Sequence, residues 1–351
     1  MSLESNERIK SIDGLRGLAI LLVVAFHTYS HPKEYIPWVT IYKDFFILKF
    51  GYMGVELFFM ISGFVILMTL ERSNSFKEFI IKRWLRLFPA MLIATILIYA
   101  TSFFLLERPL GKISYIDFLP GLFFIDPDIF SGNSVFNIGR PIELAFWSLF
   151  VEVKFYFIFG ALYFYNKKTA LKNLIIVFLS FFTIYCIKRL AHSENIDSIY
   201  TYLNLYFSLQ YFGWFCIGAI MYKSYSLNDK LMAYRSAYLI IPAYYCSTRH
   251  AYIAALLIYT LFYFTLNNKK VCAIIGNRFL IFFGVISYPL YLIHENAMVA
   301  LTIKTHNQFG FIPDLLTPLP GLLIIFLIAY FIAKHLEPNL KSFIRKFIYL
   351  K

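Results

Sequence analysis

Residues 12–30 read IDGLRGLAILLVVAFHTYS. Between Arg16 and His27 the run is wholly apolar. Its length, near the ~20 residues that ~30 Å of hydrocarbon demands of a helix, marks a membrane span. That span carries a cation near one end and an imidazole deep inside. Residues Met1 to Lys10 ahead of it are polar and lack the apolar core of a cleavable leader, so the first span is expected to be a retained anchor.

The pattern recurs along the chain. Of its 351 residues 60% are hydrophobic and only 15% charged, and the mean hydropathy is +0.65. Ordinary soluble domains carry about 45–50% apolar and about 25% charged residues. Disordered, collagen-like, coiled-coil and disulfide-scaffold classes are excluded. Ten apolar segments are expected to be helices: 12–30, 48–70, 88–106, 142–164, 172–190, 203–222, 232–246, 251–268, 279–302 and 318–336. The seventh, short and holding Arg235 and Pro242, is expected to be tilted or broken. The fold class is therefore all-α, a polytopic membrane protein forming one domain over 1–351. Little follows the tenth segment, so no additional soluble domain is expected.

Charge placement tests this count. With the N-terminus in the cytoplasm, 21 of the 33 Lys and Arg fall on the cytoplasmic side and ten on the other, with Arg16 and Lys154 inside spans. That bias follows the positive-inside rule and puts both termini in the cytoplasm. The net charge of +13 thus sits in short loops, and no nucleic-acid partner is expected. Cys186, Cys216, Cys246 and Cys272 form no CxxC pair and read as reduced packing residues. The longest connection, 107–141, lies on the outer side and carries a Phe-rich stretch from Phe118 to Phe130. It reads either as an ordered loop or as an interfacial segment shaping a cleft.

Ionisable residues inside spans are costly, so each is a functional suspect. Arg16 and His27, 11 residues apart, share one helical face and stand roughly 16 Å apart along the axis. Asp13, one turn from Arg16, reads as its partner. Counting ~1.5 Å per residue places His27 and His294 ~22 Å above the cytoplasmic edge, Glu56 ~12 Å and Glu152 ~15 Å below the outer edge. Two imidazoles and two carboxylates therefore share the middle-to-outer layer. Glu295, beside His294, is expected to face elsewhere on a continuous helix 279–302. A lone intramembrane His is an ordinary packing residue. Four ionisable groups at matched depth suit acid–base chemistry, and equally a proton relay in a transporter. Arg83 and Arg86, three apart on one face, join Arg16 in a cationic inner mouth. This cluster reads either as a contact for anionic lipids or as a clamp for a phosphate-bearing cytosolic ligand. Ser62-Gly63 reads as a close helix-packing step. Walker, GxGxxG, HExxH and GxSxG motifs are absent, so nucleotide hydrolysis, dinucleotide binding and zinc proteolysis lack support.

Five blocks, in order, resemble the membrane acyltransferase-3 family, O-acyltransferases of bacterial surface polysaccharides. They are Ile12-Asp13-Gly14-Leu15-Arg16-Gly17 through His27; Gly54-Val55-Glu56 to Ser62-Gly63-Phe64; Arg83-x-x-Arg86 with Leu87-Phe88-Pro89; Phe146-Trp147-Ser148-Leu149 with Glu152 and Phe155-Tyr156; and Ser287-Tyr288-Pro289-Leu290-Tyr291-Leu292-Ile293-His294. Val153 and Lys154 depart from the family's Glu-Gln, and Gly160 replaces its Pro. Lys154 then needs a partner or a wet cavity.

The resemblance implies a transferase moving an acetyl group from cytosolic acetyl-CoA to a hydroxyl of a surface or lipid-linked polysaccharide, of O-antigen (lipopolysaccharide) or exopolysaccharide type, at the bacterial inner membrane. His27 and Glu152 would be catalytic. Arg16, Arg83 and Arg86 would bind the donor. Asp13, Glu56, Ser62, Trp147, Ser148, Tyr288, Tyr291 and His294 would support them. Neither a metal nor a permanently bound cofactor is expected, and membrane lipids are the remaining partner. The alternative from the residues alone is a proton-coupled glycan or small-molecule transporter.

Overall fold

The computed structural model describes residues 3–31, 33–130, 138–191, 193–247 and 251–349. Every regular element among them is helical. The principal helices are α1 (Leu3–Tyr29), α2 (Gly54–Glu71), α3 (Phe76–Ser102), α4 (Trp147–Tyr165), α5 (Ala170–Ala191), α6 (Glu194–Phe207), α7 (Phe212–Leu227), α8 (Tyr252–Asn267), α9 (Lys269–Ile275), α10 (Arg278–Ile293), α11 (Glu295–Gln308), α12 (Pro318–Phe331) and α13 (Glu337–Tyr349). Among the described residues, six helical stretches are long and apolar enough to cross a membrane: Lys10–Tyr29, Gly51–Glu71, Phe76–Ser102, Leu144–Tyr165, Ala170–Ala191 and Asp314–Ile348. A seventh arises if α9 and α10, bent by 59°, are one span. The chain is thus a multi-pass membrane protein.

The other expected segments are present in shorter pieces. Segment 6 is divided at Ser208 between the end of α6 and α7, and segment 8 is α8; α7 and α8 have 16 residues each. Segment 7 is broken by a 3₁₀ turn at Ser236–Leu239 between two short helices. Segment 9 is not the continuous helix expected over 279–302, because α10 stops at Ile293 and α11 restarts at Glu295. Segments 3 and 10 extend beyond their apolar cores. Helix α3 begins twelve residues before 88, and α12 runs through a π-turn at Ile332–Leu336 into the charged α13. Exposed Leu323, Leu327 and Phe331 recur every fourth residue on α12, one outward face suited to lipid. Of the 107–141 loop, residues 131–137 lie outside the described set, as does Arg249.

The chain resolves into two compact units, one of Met1–Leu15, Val55–Arg83 and Leu149–Asn277, the other of Arg16–Gly54, Trp84–Ser148 and Arg278–Lys351. In the first, α2 and α7 touch backbone to backbone. A Cβ on Gly63 would overlap the Phe215 carbonyl, and one on Gly218 would overlap that of Met60. The Ser62-Gly63 step is therefore a packing device, as its small residues suggest. Phe215 stacks on Phe155 at 4.1 Å between centroids, and buried Trp214 donates its indole N–H to Ser247 Oγ at 2.7 Å. All four cysteines are free. In the second unit Gly17 sits against the Leu280 backbone, which sets α1 directly on α10.

Candidate active site

In the second unit His27 and His294 meet. His294 Nε2 stands 3.1 Å from His27 Nδ1, with ring centroids 4.9 Å apart. The partners fix the tautomers. His294 Nδ1 is 2.9 Å from the Tyr291 carbonyl oxygen, which only accepts, so Nδ1 carries the proton and Nε2 of the neutral ring accepts. His27 Nδ1 lies 3.1 Å from that acceptor and 3.1 Å from the Val23 carbonyl oxygen, so it too is protonated. The lone pair of His27 is thereby left on Nε2. That atom faces Glu295 Oε1 at 3.9 Å and borders a cavity of about 570 Å³. A base needs such an unshared lone pair and a counter-charge for the imidazolium it becomes.

Glu295 stands there because the helix breaks at His294. The Glu143 carboxylate accepts the Asn296 N–H at 3.0 Å and Asn296 Nδ2–H at 2.6 Å, binding a free donor in the first turn of α11. Asn296 Oδ1 in turn accepts the Leu110 N–H at 3.3 Å. Arg108 pairs with Glu143 at 3.5 Å, both side chains being 2% exposed, and donates to the Ile142 carbonyl. Glu295 Oε2 accepts the Ala145 N–H at 2.8 Å. Tyr291 O–H donates to the Ala145 carbonyl, and Ser148 Oγ lies 2.7 Å from the Tyr291 hydroxyl oxygen. The segment 142–148 and the break at 293–295 are therefore one rigid clamp around the His27–Glu295 pair. The expectation that Glu295 faces away is corrected by this break.

Of the expected inner cations, Arg86 lies in this unit, half-buried, 3.4 Å from Glu337 and over the Tyr288 ring. Tyr288 O–H is bonded to the Leu87 carbonyl at 3.0 Å. Arg16 is half-buried on α1 and Trp147 exposed at the start of α4.

The other unit holds a second constellation. Glu152 Oε1 accepts from Ser62 Oγ at 2.8 Å, Arg83 Nη2 at 3.2 Å and Tyr156 O–H at 2.5 Å. Arg83 also reaches the Tyr156 hydroxyl and stacks over its ring. Arg83 is thus a buried, paired cation because α3 starts early enough to carry it inside. Lys154 finds its partners in the Leu205 carbonyl at 2.7 Å and Ser208 Oγ at 3.1 Å. Glu56 is buried with Oε2 lacking a hydrogen-bond partner, and Asp13 is half-buried on α1.

Sequence reasoning missed Arg108, Glu143 and Asn296, and misplaced Glu295. Three successive polar residues, His294-Glu295-Asn296, inside an apolar segment were the available signal of a break.

An acyltransferase domain family matches residues 9–334, almost the full chain. The chain belongs to the acyltransferase-3 family. It is 31% identical over 167 residues to peptidoglycan O-acetyltransferase OatA of Listeria monocytogenes, covering 45% of this chain and 24% of that protein. It is 31% identical over 155 residues to the "Putative membrane-bound transacylase BcsY" of Komagataeibacter xylinus, covering 42% and 36%. A third relative, the "Putative peptidoglycan O-acetyltransferase YrhL" of Bacillus subtilis, is 30% identical over 162 residues, covering 43% and 23%. The chain's matched part spans about a quarter to a third of these relatives' lengths. No solved structure matches.

Proposed function

We propose that this acyltransferase-3 chain is an O-acetyltransferase of the bacterial inner membrane. It takes acetyl from cytosolic acetyl-CoA and places it on a hydroxyl of a surface or lipid-linked polysaccharide. The observation that carries this reading is the His27–His294 pair, which leaves His27 Nε2 unprotonated beside Glu295 and a cavity of about 570 Å³.

The acceptor hydroxyl gives its proton to His27 Nε2 as its oxygen attacks the thioester carbonyl carbon. The C–S bond breaks, CoA leaves as thiolate, and the imidazolium returns the proton to it. Glu295 holds the imidazolium meanwhile, and His294 with the Val23 carbonyl holds the ring in place. Donor phosphates are assigned to Arg16 and Arg86, which suit them as cations near the cytoplasmic ends of their helices. Arg83 is held instead by Glu152 and Tyr156, and Ser62 donates to the same Glu152 oxygen. The ten-span arrangement with both termini cytoplasmic belongs to this proposal, resting on the charge bias.

The test is purified protein in proteoliposomes with radiolabelled acetyl-CoA and a lipid-linked glycan fraction. Labelled glycan with equimolar CoA release is expected. Glycan passage across the bilayer without CoA release would replace the reading with the transporter.

A further inference from the structure

His27 has a second imidazole beside it that the transfer chemistry leaves unused. His31 follows the end of α1, its ring centroid 5.4 Å from that of His27, exposed at the rim of the same cavity. One ligand atom each from His27, His31 and Glu295 lie within 4.8 Å of one another. From these we infer that the cavity is a binding site for a divalent transition metal of the zinc class, held by His27 Nε2, His31 and Glu295. The metal shuts the enzyme off by occupying the base.

Three features beyond proximity support the site. First, two imidazoles and one carboxylate are a recognised donor set for such ions, with further positions left to water. Second, the outer partners that orient metal ligands are already present. A ligating His ordinarily donates its other ring N–H to a fixed acceptor. His27 does so through Nδ1 to His294 and Val23, which aims Nε2 at the cavity without competition from a proton. Glu295 has one oxygen held by the Ala145 N–H at 2.8 Å and turns the other toward His27. Third, the spacing is close to that required. Metal–donor bonds of about 2.0–2.1 Å in a tetrahedron set donors about 3.3 Å apart. The His27–Glu295 separation is 3.9 Å. His31 lies outside the helix, so its side chain swings inward without disturbing α1. Lys33, Lys43 and Lys49 line the same cavity with Glu34 and Asp44, so the local field on an arriving cation is mixed.

Metal capture itself is independent of the acyltransferase reading, whereas loss of activity rests on His27 being the base. The experiment therefore reads the two separately. Full-length protein without a polyhistidine tag is titrated with Co²⁺ in detergent while the visible d–d absorption is followed, and Zn²⁺ is then added. One equivalent of Co²⁺, displaced by Zn²⁺, is expected. His31→Ala should weaken Co²⁺ binding by tenfold or more and Glu295→Gln likewise. In the acetyl-transfer assay Zn²⁺ should inhibit wild type, and His31→Ala should keep its basal rate while needing at least tenfold more Zn²⁺ for half-inhibition. His31 is exposed and outside the catalytic machinery, so its variant folds. Absence of a saturable Co²⁺ spectrum, or an affinity unchanged in His31→Ala, overturns the site. A Co²⁺ site in a protein that transfers no acetyl overturns the function and leaves the site standing.

Discussion

Replacing His294 with Ala removes the acceptor for one of the two bonds of His27 Nδ1–H, and leaves the bond to the Val23 carbonyl at 3.1 Å. The tautomer of His27 is therefore retained, but its ring is held at one point instead of two. A neutral hydrogen bond is worth about 0.5–1.5 kcal/mol. The freed ring loses about 0.5–1 kcal/mol of preorganisation. Together that is about 1–2.5 kcal/mol, roughly a 5- to 70-fold fall in kcat at 1.36 kcal/mol per factor of ten. Removing the base itself, in His27→Ala, should cost about 10²–10⁴-fold. The assay is label transfer from acetyl-CoA in proteoliposomes, with kcat and KM separated and the unfolding midpoint measured alongside. His294→Ala should lower kcat, leave KM for acetyl-CoA unchanged, and remain folded. His294→Gln, whose amide accepts from His27 and donates to Tyr291, should recover part of the loss. Equal losses in His294→Ala and His27→Ala would refute the assignment of His27 as base and His294 as positioning residue. So would an unaltered rate in His294→Ala.

Three further outcomes follow from the packing. Glu143→Ala strands Arg108, 2% exposed, and frees the Asn296 N–H. Breaking a buried pair costs about 3–5 kcal/mol, so its melting point, read by thiol-reactive dye on the buried cysteines, should collapse, while Arg108→Met with Glu143→Leu should recover much of it. Gly63→Ala forces its methyl into the Phe215 backbone and should destabilise by about 1–3 kcal/mol or more in the same assay. Arg86→Ala leaves Glu337, 14% exposed, without its partner, so stability should fall by about 1–3 kcal/mol. The KM for acetyl-CoA should also rise about tenfold, as loss of one charge-assisted contact implies.

Much of the site was legible from helix arithmetic. Counting residues along segments 1 and 9 put His27 and His294 at one depth, and the structure joins them at 3.1 Å. Lys154 announced its need for a partner simply by lying in an apolar run, and it has two. What escaped depends on contacts distant in sequence. The helix stops at Ile293 although no Gly or Pro follows directly, because Glu143, some 150 residues earlier, takes the Asn296 N–H that would otherwise continue the ladder. No periodicity within 279–302 encodes that, so Glu295 was turned the wrong way. Hydropathy likewise started segment 3 only at residue 88, since the charges before it depress the value. The helix carries Arg83 inside all the same, because Glu152 neutralises it there and the Tyr156 hydroxyl accepts from it. The apolar segments between 203 and 268 differ from full spans for a simpler reason. Their apolar length is right, but 3₁₀ turns and left-handed caps at Ser208 and Asn228 divide them.

The most direct test of the account is a single-turnover quench with purified protein, radiolabelled acetyl-CoA and acceptor glycan, comparing wild type with His27→Gln. The amide fills the place of the imidazole and lacks its basic nitrogen. Wild type should release CoA and form labelled glycan in equal amounts, and the variant should do neither above background. Undiminished transfer by His27→Gln would contradict the claim that this buried imidazole is the base.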